Sequence, residues 1–364
     1  MAVKSFISSL LNKKQMPESI FFDGEFGAEI ILFLPFANWL SRAGLLKNTD
    51  ILTFSGMTMF YEALDCRSIV ERRQRRLHRR ISTPMPVGLE HIYARPSPFH
   101  LFPVMRQLGT LDIAQSNEAF RDSLDAKPIL IVHNKFNNEW KNPPINFINT
   151  TCLRETFERL SDQYTIVYIR HGIKDIQDGY SNDVRLRPEF DDLSLVNEFP
   201  SVFLFDDLVQ DYASRFGGVS VNDFKASLYK RTFHFISTQG GGAHQCAYYS
   251  GSLLTVLHKM GREIELAYAE GYYSFLTNPA PTRAICLTDD DYVSALSLYD
   301  NPLIIDGVAQ LPNRHSDVAK YLSPWKARLR WTGLTMPGTT YQVPEQLLRE
   351  PDPTLSWPRE VAAQ

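Results

Sequence analysis

A run of three glycines is the strongest chemical signal in this 364-residue sequence. Gly240, Gly241 and Gly242 follow an apolar strand pattern and precede Ala243, His244 and a helical pattern over Gln245–Tyr249. Glycines let a ligand approach the backbone closely, and the start of a helix offers unpaired N–H groups and the positive end of a dipole. The order of strand, glycines and helix therefore predicts a phosphate or pyrophosphate site, with a simple tight turn as the alternative.

Polar residues follow a second apolar run, Pro128–Val132, at the point where it ends. His133, Asn134 and Lys135 stand there, and two more asparagines and a carboxylate follow closely. Open parallel sheets bind ligands at the carboxyl ends of their strands, and a lysine neutralises phosphate as a point charge. We predict that these residues bind the ligand; local turn formation by asparagine is the alternative.

A third predicted strand, Thr165–Ile169, is followed by Arg170, His171 and Gly172. An arginine grips phosphate oxygens with its planar guanidinium group, and a surface ion pair is the alternative role. Three strands of one predicted sheet thus end in polar residues. We expect the three ends to gather at one edge and to hold a doubly charged leaving group together.

Acidic residues surround a glycine turn near the N-terminus. Asp23 and Glu25 flank Gly24, and Glu29 stands at the start of a predicted helix. A carboxylate that faces a cleft can take a proton from a hydroxyl group of a second substrate. Asp23 and Glu25 are the preferred candidates for this base, whereas Glu29 serves equally well as a partner of the helix dipole.

Apolar runs that alternate with helical patterns predict two parallel α/β sheets in tandem. In the first, strands at Ile20–Asp23 and Ile51–Phe54 flank a helix over Glu29–Arg42 that ends at Gly44. In the second, five strands alternate with helices: Pro128–Val132, Thr165–Ile169, Val202–Phe205, Phe233–Ser237 and Leu253–Leu257. The predicted fold is α/β, with two Rossmann-like doubly wound domains facing a central cleft.

The predicted division is an N-terminal domain over residues 1–125, a C-terminal domain over 126–335 and a proline-rich tail over 336–364. Hydrophobic residues make up 44% of the chain, aromatic residues make up 12%, and the net charge is −3. These values are typical of a globular protein. They argue against disorder and against a general nucleic-acid binder.

Four scattered cysteines without a CxxC pair are typical of reduced thiols in the cytosol and not of disulfides or a zinc site. No apolar run reaches the roughly 20 residues that a membrane span needs, so we expect a cytoplasmic protein. The arginine-rich run Arg72–Arg80 predicts either a solvated helix face or contact with an anionic membrane surface. The second alternative would make the protein peripheral to the inner face of a membrane.

The two-sheet layout, the strand–glycine–helix element and the polar strand ends together resemble glycosyltransferases of the GT-B type. The segment 23–29, with Phe33-Leu34-Pro35 and Trp39 after it, is similar to the start of the acceptor domain in fucosyltransferase-like bacterial and viral members. The similarity covers most of residues 20–280 and is carried by short motifs.

The resemblance implies a first domain that binds an acceptor and a second that binds a nucleotide sugar, with Gly240–His244 on the pyrophosphate of the donor. Arg170 stands where the fucosyltransferase-like members place an arginine that stabilises the departing nucleotide. Those members have paired arginines at this point, whereas this chain has Arg170-His171-Gly172. The resemblance therefore does not identify GDP-fucose as the donor.

The predicted function is transfer of a hexosyl or deoxyhexosyl group from a nucleotide sugar to a glycan or a lipid-linked saccharide, as in polysaccharide biosynthesis. We expect no cofactor and no metal, because Asp206-Asp207 and Asp289–Asp291 lack the setting of a metal-binding Asp-x-Asp triplet. Lys135, Arg170 and backbone amides would then stabilise the leaving diphosphate. A base in segment 23–29, on the opposite domain, favours inversion at the anomeric carbon.

Two alternatives use the same residues. Arg170-His171-Gly172 also resembles the phosphohistidine-forming motif of histidine phosphatases, which carry it on the first strand and have a second histidine at a later strand end. Here Gln239 occupies the later strand end, and His244 lies inside the following helix. The other alternative is a nucleotide-binding protein without catalytic activity.

Overall fold

The computed structural model of the chain describes residues 17–22, 24, 26–42, 44–72, 108–136, 144, 146–171, 190–249, 253–257, 282–286, 288–300, 303–305 and 308–310. These residues form a mixed α/β fold with parallel sheets. The arginine-rich run beyond Arg72 and the proline-rich tail lie outside them, as do Asp23 and Glu25. Within the described parts, none of the helices combines the length and the apolar character that crossing a membrane requires.

A small parallel sheet comes first in the chain. Its strands are β1 (Ser19–Phe21), β2 (Asp50–Phe54) and β3 (Ser68–Arg72), in the order β1-β2-β3. The first two confirm strands predicted from apolar runs. β3 was not predicted, because only two of its five residues, the adjacent Ile69 and Val70, are apolar, which is too short a run to indicate a strand.

Helix α1 connects β1 to β2 and has an irregular start. It consists of Phe26–Ala28, a π-helical stretch over Glu29–Phe33, and the regular segment Leu34–Arg42. Gly44 follows with a φ of +70°, the left-handed conformation that commonly ends a helix. The predicted helix over 29–42 is confirmed and begins three residues earlier than predicted.

A six-stranded parallel sheet forms from the second half of the chain. Its strands are β4 (Ile129–Lys135), β5 (Thr165–His171), β6 (Val202–Leu204), β7 (His234–Thr238), β8 (Leu253–Leu257) and β9 (Thr282–Cys286). Five of these are the predicted runs, and β9 was not predicted. The spatial order is β6-β5-β4-β7-β8-β9. Counted within this sheet, that is 3-2-1-4-5-6, the order of doubly wound dinucleotide-binding folds.

Helices alternate with these strands. They are α2 (Glu118–Ala126), α3 (Thr150–Leu160), α4 (Asp192–Val196), α5 (Phe205–Phe216), α6 (Val221–Tyr229), α7 (Gly241–Tyr249) and α8 (Asp289–Ala295). Asparagine side chains cap two of them: Asn117 accepts from Phe120 N–H, and Asn149 accepts from Cys152 N–H. Near the end of the described chain, β10 (Leu303–Ile305) and β11 (Val308–Gln310) form an antiparallel pair.

Alternate residues of each strand enter two different cores, one on each face of the six-stranded sheet. On the face covered by α5, α6 and α7, residues such as Ile131 and Val167 join a core that also contains Ile51 and other residues of the small sheet. On the opposite face, residues such as Val132 and Tyr168 pack with α3 and α8. We call these the α7 face and the α3 face. The first core runs without a break from the small sheet to the large one; a division into two domains facing a cleft stays a prediction.

Candidate functional site

β4 and β7 separate at the carboxyl edge of the large sheet, and we call the place between their ends the crevice. The two strands pair only as far as His133 and Ser237, whereas β4 stays paired with β5 through Lys135. Beyond Thr238 the chain follows β8 instead, because Gln239 N–H donates to Leu257 O at 3.0 Å. This is the point where the strand order reverses, and such points are where open α/β sheets bind ligands.

Lys135 and Gly240 meet in this crevice. Gly240 has a φ of +130°, a conformation that residues with a side chain rarely adopt. A Cβ atom placed on it would lie 3.1 Å from Lys135 Nζ, so the ammonium group lies against the glycine backbone. The structure thus brings a cation to the residue that precedes α7, whose first N–H groups have no partner within the helix.

The other two glycines admit protein groups. A Cβ on Gly242 would lie 2.1 Å from Cε1 of His133, so the imidazole ring lies flat against the start of α7. A Cβ on Gly241 would lie 3.0 Å from Cδ1 of Phe26 and 3.2 Å from the backbone nitrogen of Gly27. The glycines were predicted to let a ligand approach the backbone closely. At Gly241 and Gly242 that space is filled by residues of α1 and β4 instead.

The first turns of α1 and α7 therefore touch. A Cβ on Gly27 would lie 3.1 Å from Gly241 Cα and 2.9 Å from Cδ2 of His244. Deeper in the contact, the Tyr248 hydroxyl donates to Ile30 O at 2.9 Å. The starts of two helices thus lie in contact next to Gly240, and the positive end of the α7 dipole at this place favours a negatively charged ligand.

His244 contributes no charge to the crevice at neutral pH. Burial and, to a smaller extent, the charge of Lys135 lower its pKa from 6.5 to about 3. A neutral imidazole has one nitrogen that donates and one that accepts a hydrogen bond. The positive charge that faces an anion here is therefore that of Lys135.

Asn134 lies on the α3 face, and its side chain is fully used within the protein. Its amide group donates to Ile148 O at 2.9 Å and to the Tyr168 hydroxyl at 3.0 Å. Its Oδ1 accepts from the backbone N–H groups of Lys135 and Ile148, each at 2.9 Å. A carboxamide offers two donors and two acceptors, so Asn134 has none left for a ligand and instead joins the end of β4 to Ile148.

Arg170 also lies on the α3 face, where it is buried. Its Nη1 donates to a carboxylate oxygen of Asp192 and, at 3.1 Å, to Phe190 O. The other oxygen of Asp192 accepts from Tyr168 at 2.6 Å. Arg170 was expected to lie beside the glycines, and it does not. Side chains alternate along β5, so Arg170 lies on the face opposite Lys135, where it forms a buried ion pair. Burial raises the pKa of Asp192, although both donors offset part of that rise.

The remaining predicted site residues divide into two groups. Ala243 is fully buried in the first turn of α7. His171 is the last residue of β5, and its side chain lies outside the described part of the chain, as do Asp23 and Glu25. Glu29 is the described acid nearest to them in sequence; it is buried and accepts from Tyr61 and Thr53 at 2.6 and 3.0 Å.

The hydrogen-bond network of Tyr168 and Asp192 was not predicted from the sequence. Tyr168 belonged to an apolar run, and Asp192 stands 22 residues beyond Arg170 in the chain. The alternation of side chains along β4 already indicates that Val132 and Asn134 face away from His133 and Lys135. Among the described residues, no group of three His, Cys, Asp or Glu side chains is arranged to hold a metal ion.

Comparison with models of protein families finds no match. Comparison with curated proteins finds no significant match either. A solved structure of a family 9 glycosyl transferase from Veillonella parvula DSM 2008 is similar over 85% of this chain and 97% of that one, with 11% sequence identity and a TM-score of 0.45. A likeness this distant identifies neither the fold family nor the activity of the chain.

Proposed function

We propose that this protein is a glycosyltransferase that moves a sugar from a nucleotide-sugar donor to a saccharide acceptor, and that the crevice between β4 and β7 holds the donor's diphosphate. The observation that carries the proposal is the position of the Lys135 ammonium group against Gly240, at the start of α7 and at the point where the strand order reverses. A cation and N–H groups that have no partner within the helix suit a diphosphate better than a neutral ligand at such a point.

Charge stabilisation is the chemistry that this arrangement offers. When the bond between the anomeric carbon and the diphosphate breaks, negative charge develops on the leaving oxygen. The fixed dipoles of α1 and α7 and the charge of Lys135 stabilise that charge without rearrangement. In this proposal they do the work of a divalent cation, and the reaction needs no metal.

The acceptor enters from the side of the small sheet. Gly27 lies against Gly241 and His244, and Glu25 and Asp23 precede Gly27 by two and four positions in the sequence. One of these two carboxylates takes the proton of the acceptor hydroxyl, which attacks from the side opposite the diphosphate and inverts the anomeric carbon. Glu29 is a poorer candidate, because Tyr61 and Thr53 already donate to it.

The finer predictions belong to the same proposal. The transferred group is a hexose or deoxyhexose, and the acceptor is a glycan or a lipid-linked saccharide of polysaccharide biosynthesis. The two sheets form the two halves of a GT-B-like arrangement. The enzyme acts in the cytoplasm, with Arg72–Arg80 as the candidate contact to an anionic membrane surface.

A thermal-shift screen against UDP-, GDP-, CMP- and dTDP-sugars tests the proposal. A true donor stabilises the folded state by about 2.7 kcal/mol at a hundredfold excess over its dissociation constant. We expect Lys135→Ala to weaken donor binding by roughly 10- to 100-fold, the effect of losing a charged hydrogen bond. The proposal is wrong if no nucleotide sugar raises the melting temperature of the protein.

Lys127→Ala is the matched control. This lysine precedes the opposite end of β4, where it donates to Ser161 O and to the Ser201 hydroxyl at 2.8 and 3.0 Å. The Lys127→Ala substitution should lower the melting temperature and leave unchanged the rise in melting temperature that the donor causes. Release of phosphate from an aryl phosphate, abolished by His171→Ala, would instead indicate a phosphatase. Binding of a nucleotide sugar without transfer or hydrolysis would indicate a binding protein.

A further inference from the structure

The polar network on the α3 face reaches Lys135 through its backbone. Lys135 N–H donates to Asn134 Oδ1 at 2.9 Å, and Asn134 Nδ2 donates to the Tyr168 hydroxyl at 3.0 Å. Tyr168 in turn donates to Asp192 at 2.6 Å, and Asp192 accepts from Arg170. A series of hydrogen bonds thus leads from a buried ion pair on one face of the sheet to the backbone N–H of Lys135, whose ammonium group lies on the other face.

We propose that Tyr168 is a positioning residue for Lys135: it holds the Asn134 side chain, which holds the backbone at Lys135, so that the ammonium group stays against Gly240. The inference rests on the proposed function, because it takes the ligand of Lys135 to be a diphosphate. No residue of the series other than Lys135 touches that ligand.

Asn134 connects Tyr168 to Lys135, so any influence of Tyr168 on the position of Lys135 depends on it. It is fully buried, and its side chain joins Tyr168, Ile148 and the backbone of Lys135. Without the tyrosine hydroxyl, one amide hydrogen loses its partner in a place that water does not reach. The amide then rotates or shifts to regain a partner, and the Lys135 N–H loses its acceptor.

Several contacts hold the far end of the series. Arg170 is held by Asp192 and by Phe190 O at 3.1 Å, and its guanidinium carbon lies 5.3 Å from the centre of the Phe190 ring. Burial raises the pKa of Tyr168 well above its usual value, so the hydroxyl stays protonated and keeps donating. A lysine side chain is long and flexible, so the backbone at its root must be fixed if its ammonium group is to stay in place.

Tyr168→Phe with Tyr164→Phe as its control tests the proposal. Tyr164 is also fully buried in the α3-face core, and its hydroxyl donates to Tyr299 O at 2.9 Å, away from Lys135. The probe is inorganic pyrophosphate, with its dissociation constant measured by calorimetry. We expect Tyr168→Phe to weaken binding about fivefold to tenfold and Tyr164→Phe to change it less than about twofold.

The same substitution in a Lys135→Ala background separates positioning from general destabilisation. If Tyr168 acts through Lys135, Tyr168→Phe changes pyrophosphate affinity by less than about twofold once the lysine is absent. An equal loss in both backgrounds overturns the proposal, and so does an equal loss with Tyr164→Phe. Asp192→Asn, which keeps the size of the side chain, should shift affinity in the same direction as Tyr168→Phe.

Hydrogen exchange at the Lys135 amide tests the series without any ligand. Tyr168→Phe should raise the exchange rate of this amide about tenfold or more relative to Tyr164→Phe, because its acceptor is no longer fixed. Unchanged protection overturns the inference. If the wild-type protein binds neither pyrophosphate nor any nucleotide sugar, the proposed function fails, and the exchange rate alone still decides whether Tyr168 holds Lys135 in place.

Discussion

Polar residues at the ends of β4 and β5 have different surroundings on the two faces of the large sheet. On the α3 face, Asn134 and Arg170 are buried and bonded to other protein groups. On the α7 face, Lys135 lies beside Gly240, where two helices begin. Neighbouring residues of one strand thus serve stability on one face and, in the function that we propose, ligand binding on the other. A polar strand end is therefore evidence for a site only after each side chain has been assigned to a face.

The largest effect that this comparison predicts is the loss of stability in Arg170→Ala. Removal of the guanidinium group leaves Asp192 as a buried carboxylate without its cation, which costs about 3–5 kcal/mol. Chemical denaturation measures the change. Arg154→Ala, which breaks an exposed pair with Glu198, is the control and should change stability very little. A fully stable Arg170→Ala protein would show that the α3 face does not depend on this pair.

Acid should destabilise the α7 face through His244. Its pKa is about 3 in the folded protein and 6.5 when unperturbed, so the unfolded chain binds the extra proton between these values. The free energy of unfolding therefore falls as pH drops below 6.5, by about 1.4 kcal/mol per pH unit. His244→Gln should remove that part of the pH dependence in urea denaturation curves. Identical slopes for both proteins would contradict the assignment.

A smaller loss is expected for Gly242→Ala. The added methyl group would overlap the His133 ring, and relieving the overlap costs about 1–3 kcal/mol. Gly218→Ala is the control, because nothing lies within 4 Å of its added Cβ. Thermal melting compares the two. Equal melting temperatures would mean that His133 moves away easily and that the contact between β4 and α7 is loose.

Much of this protein could be predicted from its sequence. Continuous apolar runs predicted β1, β2 and five strands of the large sheet, and the triple glycine predicted the turn into α7. The short strands β3 and β9 were missed, because their polar residues leave too weak a pattern. Lys135 and the glycines were chosen as candidates from local chemistry alone.

The sequence by itself determined the elements, because hydrophobic periodicity and glycine conformation are local properties. Alternation along a strand shows which residues share a face, but only the tertiary structure decided what covers each face and which partner each polar residue contacts there. Asp192 reaches Arg170 and Tyr168 from a separate helix, and Gly27 reaches Gly241 across more than 200 positions of the chain. Such partners depend on strand order and helix packing, which bring distant residues together and leave no pattern in either segment.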